Sequence, residues 1–293
     1  MKKIVCFGEM LWDMLPSGKM PGGAPMNVAI HLRNLGNEVD MISRIGTDDL
    51  GRELLQFATA SGLNTPLVQQ GQTHLTGVVK VNMDDKNNVQ YKILHPVAWD
   101  YIGVEDRALE KVKEADAFIF GSLAARSEHS FTTLKNLLTH ARKRVLDINL
   151  RPPYYDRETL LFLLSQTDFL KLNHHELAII SGYLSEPSDT LEEQVLALAG
   201  HFDLEEICVT LGENGAVLYQ NGRFYYQKGF EVQVTDTIGA GDSFLATLIS
   251  EILKNTPVPS ALAKACAVGA LVASHHGATP VISEAEIINL LKN

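Results

Sequence analysis

The stretch "DTIGAGDSF" (Asp236–Phe244) decides how this chain is read. A strand-like run, Phe230–Val234, leads in, and an apolar helical run, Ser243–Asn255, leads out. Between them, two glycines and an alanine lie between two aspartates. A helix start needs one cap residue, not this much open backbone. The amides of Gly239, Ala240 and Gly241 fall at the N-terminus of the coming helix, where unpaired N–H groups and the helix dipole favour an anion. Glycine removes the side chain that would hold a ligand away. Asp242 fits two roles. It is an ordinary helix cap, or it is a base that takes a proton from an attacking hydroxyl while negative charge builds beside it.

The same strand-to-helix order repeats upstream. Ile4–Phe7, Val39–Gly46, Ala117–Ser122, Arg144–Asn149, Asp168–Asn173 and Glu206–Gly212 are short apolar runs that predict strands buried on both faces. Amphipathic stretches at Asn27–Leu35, Asp49–Ser61, Ser130–Arg142, Arg157–Gln166 and Leu191–His201 predict the helices between them. This alternation predicts an α/β fold with a doubly wound, mostly parallel sheet flanked by helices. Gly77–Leu94 departs from it: two β-like runs around "DDKNN" predict an antiparallel hairpin, an edge insertion serving as a lid or a dimer clasp. After Asp242 the chain is mostly helical, through Pro259–His276 and Ser283–Lys292.

Composition narrows the function. The 293 residues are 45% hydrophobic and 20% charged, which predicts a sizeable packed core. A net charge of −10 argues against a nucleic-acid binder, so any phosphate site must be local. Cys6, Cys208 and Cys266 form no CxxC or zinc spacing and read as reduced, buried thiols of a cytoplasmic protein. In the opening "MKKIVCFGEMLWDMLP" the apolar stretch is broken by Gly8, Glu9 and Asp13 and no small-residue cleavage site follows, so Ile4–Phe7 reads as a buried strand rather than part of a signal segment. No run approaches the roughly 18 apolar residues of a membrane span.

In parallel sheets, ligands bind at the carboxyl ends of strands. Polar and glycine-rich segments follow the predicted strands: "GEMLWD", "DINLR", "KLNHHE" and "TLGENG". "PGGAPMNVA" (Pro21–Ala29) reads as a glycine turn with Asn27 beginning a helix, or as a backbone opened by Gly22 and Gly23, with Asn27 offering a donor and an acceptor to sugar-like hydroxyls. The chain has no GxxxxGK[ST] loop and no GxGxxG after its first strand, which excludes a P-loop and argues against a nicotinamide oxidoreductase. The pairs His174–His175 and His275–His276 lack HExxH spacing. His74, Trp12 and Trp99 read as packing or surface residues.

Taken together, "DTIGAGD" and "GGAPMN", with "KLNHHE" and "TLGENG" between them, resemble the signatures of the ribokinase-like (PfkB) carbohydrate kinases across essentially the whole chain. The resemblance implies one kinase domain over residues 1–293, with a small β lid from segments near 9–20 and 76–99. It implies transfer of the γ-phosphate of ATP to a sugar hydroxyl, with Mg²⁺ and a K⁺ ion as the accompanying cations. Asp242 resembles the catalytic base, and Gly239, Ala240 and Gly241 resemble the anion hole. Asp13, Gly22, Gly23 and Asn27 resemble the sugar-binding set. Asn173 and Glu176 resemble the residues that organise Mg²⁺ indirectly. Thr210, Gly212 and Gly215 resemble the nucleotide-side loop, with adenine between it and Ala265–Val268. The K⁺ ion would lie at the carbonyls around Asp236 and Ile238. "DINLRPPYY" resembles the fructokinase branch, with Arg151 facing phosphate oxygens. Kinases of 2-keto-3-deoxygluconate carry a similar segment, so other sugars, sugar acids or nucleosides stay open, as does an inactive sensor. Trp99 either narrows the sugar pocket or packs under the lid. The partners implied are a small sugar and ATP, without nucleic acid or membrane, and a homodimer through the lid.

Overall fold

The structure, a computed structural model, describes residues 1–16, 18–83, 89–184 and 190–292. The chain opens with β1 (Lys3–Phe7), then the short strands β2 (Leu11–Leu15) and β3 (Gly18–Gly22), before α1 (Ala24–Asn34). Next come β4 (Glu38–Gly46), α2 (Asp49–Ala60), β5 (Val68–Gly71) and the hairpin β6 (Gly77–Met83) and β7 (Val89–Ile93). The centre alternates α3 (Asp106–Glu114), β8 (Ala117–Gly121), α4 (Glu128–Leu138), β9 (Arg144–Asp147), α5 (Arg157–Ser165) and β10 (Phe169–Asn173). It continues with α6 (His174–Ser181), α7 (Leu191–Phe202), β11 (Glu206–Thr210), β12 (Ala216–Gln220) and β13 (Arg223–Gln227). Three helices close the chain: α8 (Ala240–Leu253), α9 (Val258–Ala273) and α10 (Glu284–Lys292).

The large sheet has nine strands in the order β13-β12-β11-β10-β9-β8-β1-β4-β5. Its pairs from β11 to β5 are parallel, while β12 and β13 add an antiparallel edge. Because successive side chains on a strand point to opposite faces, β1 feeds two cores. Val5 and Phe7 enter one apolar cluster, and Ile4 and Cys6 the other. That double burial is why the central strands are continuous apolar runs; each large side chain removed from water contributes about 1.5–3 kcal/mol. All three cysteines are free and buried.

A second sheet of four strands, in the order β3-β2-β6-β7, stands apart from the first. Asp13 on β2 lies opposite Met20 on β3 and Val79 on β6. Trp99 is fully buried, with the Arg126 guanidinium 3.8 Å from its ring centre. A Cβ on Gly77 would come within 2.6 Å of the indole, so the glycine is what lets β6 pack against it. The indole therefore packs beneath the small sheet, the second of the two expected arrangements. The "DDKNN" turn lies outside the described residues.

Three local expectations are corrected. Phe230–Val234 forms no strand: β13 ends at Gln227, and the alternating segment after it pairs with no strand among the described residues. Helix α1 begins at Ala24, with Gly23 as its N-cap at φ 110°, so Asn27 lies inside the helix instead of starting it. Helix α8 is capped by Gly239 at φ 79°, which places Asp242 in its first turn and not at its cap.

Candidate active site

Gly239 fixes the geometry of the turn in "DTIGAGD". Its left-handed backbone carries no Cβ penalty, and a Cβ there would lie 2.3 Å from the Ala278 carbonyl oxygen. The loop of Gly277 and Ala278 thus sits directly against the turn. Asp236 braces the same junction by accepting from the Ile238 amide at 3.0 Å and the Gly277 amide at 3.3 Å. From the other side, buried His31 on α1 places Nε2 2.9 Å from the Ala278 carbonyl oxygen, where a ring N–H donates to it. At the start of α8 the Ala240 amide donates to the Thr237 carbonyl oxygen at 3.3 Å, while a helix start leaves other first amides for a ligand.

Asp242 Oδ2 accepts a hydrogen bond from Asn27 Nδ2 at 2.9 Å, so the two glycine signatures meet in space. Burial is the main force pushing the Asp242 carboxyl up to about 6, and the charge of Asp147 pushes the same way. The Asn27 hydrogen bond, Lys171 and Arg151 oppose it. Asp13 is also pushed up to about 6 by burial, against the pull of Arg151. A Cβ on Gly22 would lie 2.3 Å from Asp13 Oδ2, so only glycine leaves room for that carboxylate. Gly23 likewise lets the start of α1 lie against the Glu9 carbonyl oxygen, 2.4 Å from where its Cβ would be. Arg151 is exposed, and its charge is felt at Glu9, Asp13 and Asp242 alike. The fold thus gathers Asp13, Gly22, Gly23, Asn27, Arg151 and Asp242 at one place.

Behind the turn lies a buried ion pair. Lys171 on β10 holds both Asp147 oxygens at 3.0 and 3.1 Å, and a Cβ on Gly241 would come within 3.3 Å of its ammonium. Glu176 accepts the Leu150 and Asn173 amides, each at 2.8 Å, and Asn173 Oδ1 returns a bond from the Glu176 amide at 2.9 Å. Burial and then the Asp147 charge raise the Glu176 carboxyl above its usual range.

Thr210 ends β11, and the loop after it holds Gly212 at φ 62° and Gly215 at φ 96°. A Cβ on Gly215 would lie 2.0 Å from the Gln227 carbonyl oxygen, so the turn is pressed against the end of β13. Ala265–Val268 on α9 are all buried. The α9 residue that comes against the anion turn is the half-buried Gly269, whose Cβ would stand 3.3 Å from the Ala240 carbonyl oxygen. A separate cavity of about 620 Å³ lies beside the small sheet, with Asp48, His74 and His95 in its wall, and none of the site residues above lines it.

Sequence reasoning missed Lys171, Asp147 and Glu9. A signal existed for the first: a lysine inside the otherwise apolar run "FLKLN" must find a buried partner.

The arrangement defines a class. It places the Asp242 carboxylate in the first turn of a helix, hydrogen-bonded to Asn27, with Asp147, Lys171 and the turn after β11 at the carboxyl ends of neighbouring parallel strands. The sequence profile of the pfkB family carbohydrate kinases matches residues 1–285, and the chain belongs to that family. Fructokinase of Solanum tuberosum is 28% identical over 318 residues, covering 99% of this chain and 95% of that protein. A double mutant of the fructokinase of Vibrio cholerae O395, solved with fructose, ADP and potassium ion, superposes with a TM-score of 0.85 at 22% identity, over 99% of this chain and 98% of that one. Fructokinase of Xylella fastidiosa with bound ATP gives a TM-score of 0.85 at 24% identity, over 100% and 99% of the two chains. These structures share the fold. No helix among the described residues is long and apolar enough to cross a membrane.

Proposed function

We propose that the protein is an ATP-dependent fructokinase, converting D-fructose to fructose 6-phosphate. The observation that carries this reading is the hydrogen bond between Asn27 and Asp242 beside the Gly239–Gly241 turn. It supports a reading in which Asp242 is the base and Asn27 contacts the sugar next to the turn that would receive the phosphoryl charge. The fructokinase relatives support fructose as the sugar.

In this mechanism Asp13, the Gly22–Gly23 backbone and Asn27 hold the sugar. Its primary hydroxyl oxygen attacks the γ-phosphorus of ATP, the bond to the β-phosphate oxygen breaks, and ADP leaves. Asp242 takes the hydroxyl proton as the new bond forms. With its carboxyl at about 6, Asp242 is ionised at neutral pH and still basic enough to accept. The amides of Gly239, Ala240 and Gly241 receive charge on the transferring group, and Arg151 adds a cation on the sugar side. Thr210, Gly212 and Gly215 form the nucleotide side. The Lys171 ammonium next to Gly241 offsets the nearby acidic groups.

The residues fit Mg²⁺ held through phosphate and water. Both Glu176 oxygens are anchored by amides, and among the described residues no group of three or more His, Cys, Asp or Glu could cage an ion. When bound, the ion neutralises charge on the β- and γ-phosphates. A K⁺ ion at the carbonyls around Asp236 and Ile238 belongs to the same reading, and the brace those residues make against Gly277 supports it. The four-stranded sheet acts as the lid and joins two subunits, and the free buried cysteines support a cytoplasmic location.

The test is ADP release with fructose, ribose, tagatose, 2-keto-3-deoxygluconate and nucleosides. Fructose should give the highest kcat/KM. Asp242→Asn should lower kcat by about 10²-fold or more with ATP affinity nearly unchanged; near-normal turnover would end the base assignment.

A further inference from the structure

One buried acid is left without a task by this mechanism. Glu9 follows β1 and is 3% exposed. Its backbone is clamped from two sides: a Cβ on Gly8 would meet Pro25 at 2.7 Å, and one on Gly23 would meet the Glu9 carbonyl oxygen at 2.4 Å. The side chain therefore leaves from a fixed point beside the sugar-contacting turn. Its Oε2 has no hydrogen-bond partner. Asn27 Oδ1 and Arg126 Nη1 are also buried and unpartnered. Arg126 is otherwise fully engaged, by Asp100, by the Leu94 carbonyl and by the rings of Trp99 and Tyr154. Buried polar atoms without partners are rare in folded proteins, and two of them, on Glu9 and Asn27, belong to side chains that both interact with Asp242, which points to hydrogen bonds completed by a ligand.

We propose that Glu9 belongs to the sugar-contacting set: its free Oε2 takes a sugar hydroxyl as hydrogen-bond partner and helps select which sugar is accepted. This rests on the sugar-kinase reading above. The charged groups felt at Glu9 are Arg151 from the segment after β9, Asp242 from α8 and Arg126 from the segment before α4. Burial dominates them and pushes the Glu9 carboxyl up to about 7. Near neutrality the group is thus partly un-ionised and offers both a donor and an acceptor, which suits a hydroxyl. A site built to bond a hydroxyl also rejects analogues that lack it.

The experiment uses the full chain in the ADP-release assay, with wild type, Glu9→Gln and Glu9→Leu. Fructose and ATP are titrated separately, and fructose is then replaced by analogues each lacking one hydroxyl. Glu9→Leu should raise the sugar KM about tenfold or more while the ATP KM stays within about twofold. That penalty should vanish for the analogue missing the contacted hydroxyl. Glu9→Gln, which keeps a donor and an acceptor, should stay within about threefold of wild type at pH 7. It should also reduce the change in sugar KM that wild type shows between pH 6 and pH 8, leaving the part that Asp13 contributes nearer pH 6. Should Glu9→Leu fail to fold, Glu9→Gln alone decides, and a pH profile identical to wild type overturns the proposal. So does a Glu9→Leu variant whose sugar KM is unchanged, or whose penalty is the same on every analogue. A wild type that turns over no sugar overturns the fructokinase reading and this proposal with it.

Discussion

At Asp242, burial and a neighbouring carboxylate outweigh a hydrogen bond and two cations, and the group settles at about 6. The pH dependence follows from that balance. A base works only when ionised, so kcat should fall as pH drops through about 6 and level off above pH 7. An unchanged kcat at pH 5 would remove Asp242 from the proton transfer. Gly22 makes a separable case. A methyl placed there collides with Asp13 Oδ2, so Gly22→Ala should raise the sugar KM about tenfold and leave the ATP KM alone. The individual residues were unevenly legible. Asn27 and Asp242 lie in first helical turns that follow glycines advertising open backbone, and Asp13 lies on β2 in a segment broken by polar residues. Glu9, Asp147 and Lys171 sit at the ends or middle of apolar strands, where sequence pattern reports burial but not the partner that makes the burial tolerable.

At the level of elements, the turn before α8 is held by pieces distant in sequence: Asp236, the Gly277–Ala278 loop and His31 of α1. Gly239→Ala forces a Cβ against the Ala278 carbonyl in a left-handed backbone, at a cost of about 1–3 kcal/mol. It should lower kcat by about 10²-fold and reduce Tm, which steady-state kinetics and a melting curve would register together. A variant with normal kcat would mean that the turn does not hold the phosphoryl charge. The central strands were legible because both faces are buried, and the helices because one face is. The edge pieces were not. β2, β3, β12 and β13 are short and mix Lys, Asp, Gln and Tyr with apolar residues, and each carries residues that are only partly buried. Phe230–Val234 shows the converse: its alternation is strand-like, but pairing needs a neighbour, and sequence does not display neighbours.

Across the whole molecule the site is a source of instability. Glu9, Asp13 and Asp242 all titrate above their ordinary range, so each prefers a proton in the folded state. Such groups weaken the fold at pH 8, and that cost is relieved as pH falls through the folded pKa toward the unfolded one. Asp242→Asn removes one of them and retains a partner for Asn27. The ligand-free variant should therefore be more stable than wild type at pH 8, by about 1–3 kcal/mol, with the gap closing toward pH 4. Differential scanning calorimetry across that range checks both sign and slope; a gap that widened on acidification would contradict the carboxyl's raised pKa. The Lys171–Asp147 pair behaves oppositely. Lys171→Met strands a buried carboxylate and should cost about 3–5 kcal/mol, lowering Tm at neutral pH.

The hydrogen bond from Asn27 to Asp242 joins residues 215 positions apart. A chain still being synthesised can assemble the Gly22–Asn27 turn long before Asp242 exists. Until α8 has been made and docked against α1, the half-built protein has no means of transferring phosphate, to sugar or to water. Recovery of activity on refolding is therefore a report on a contact between distant parts of the chain, and it should lag behind the return of helical signal.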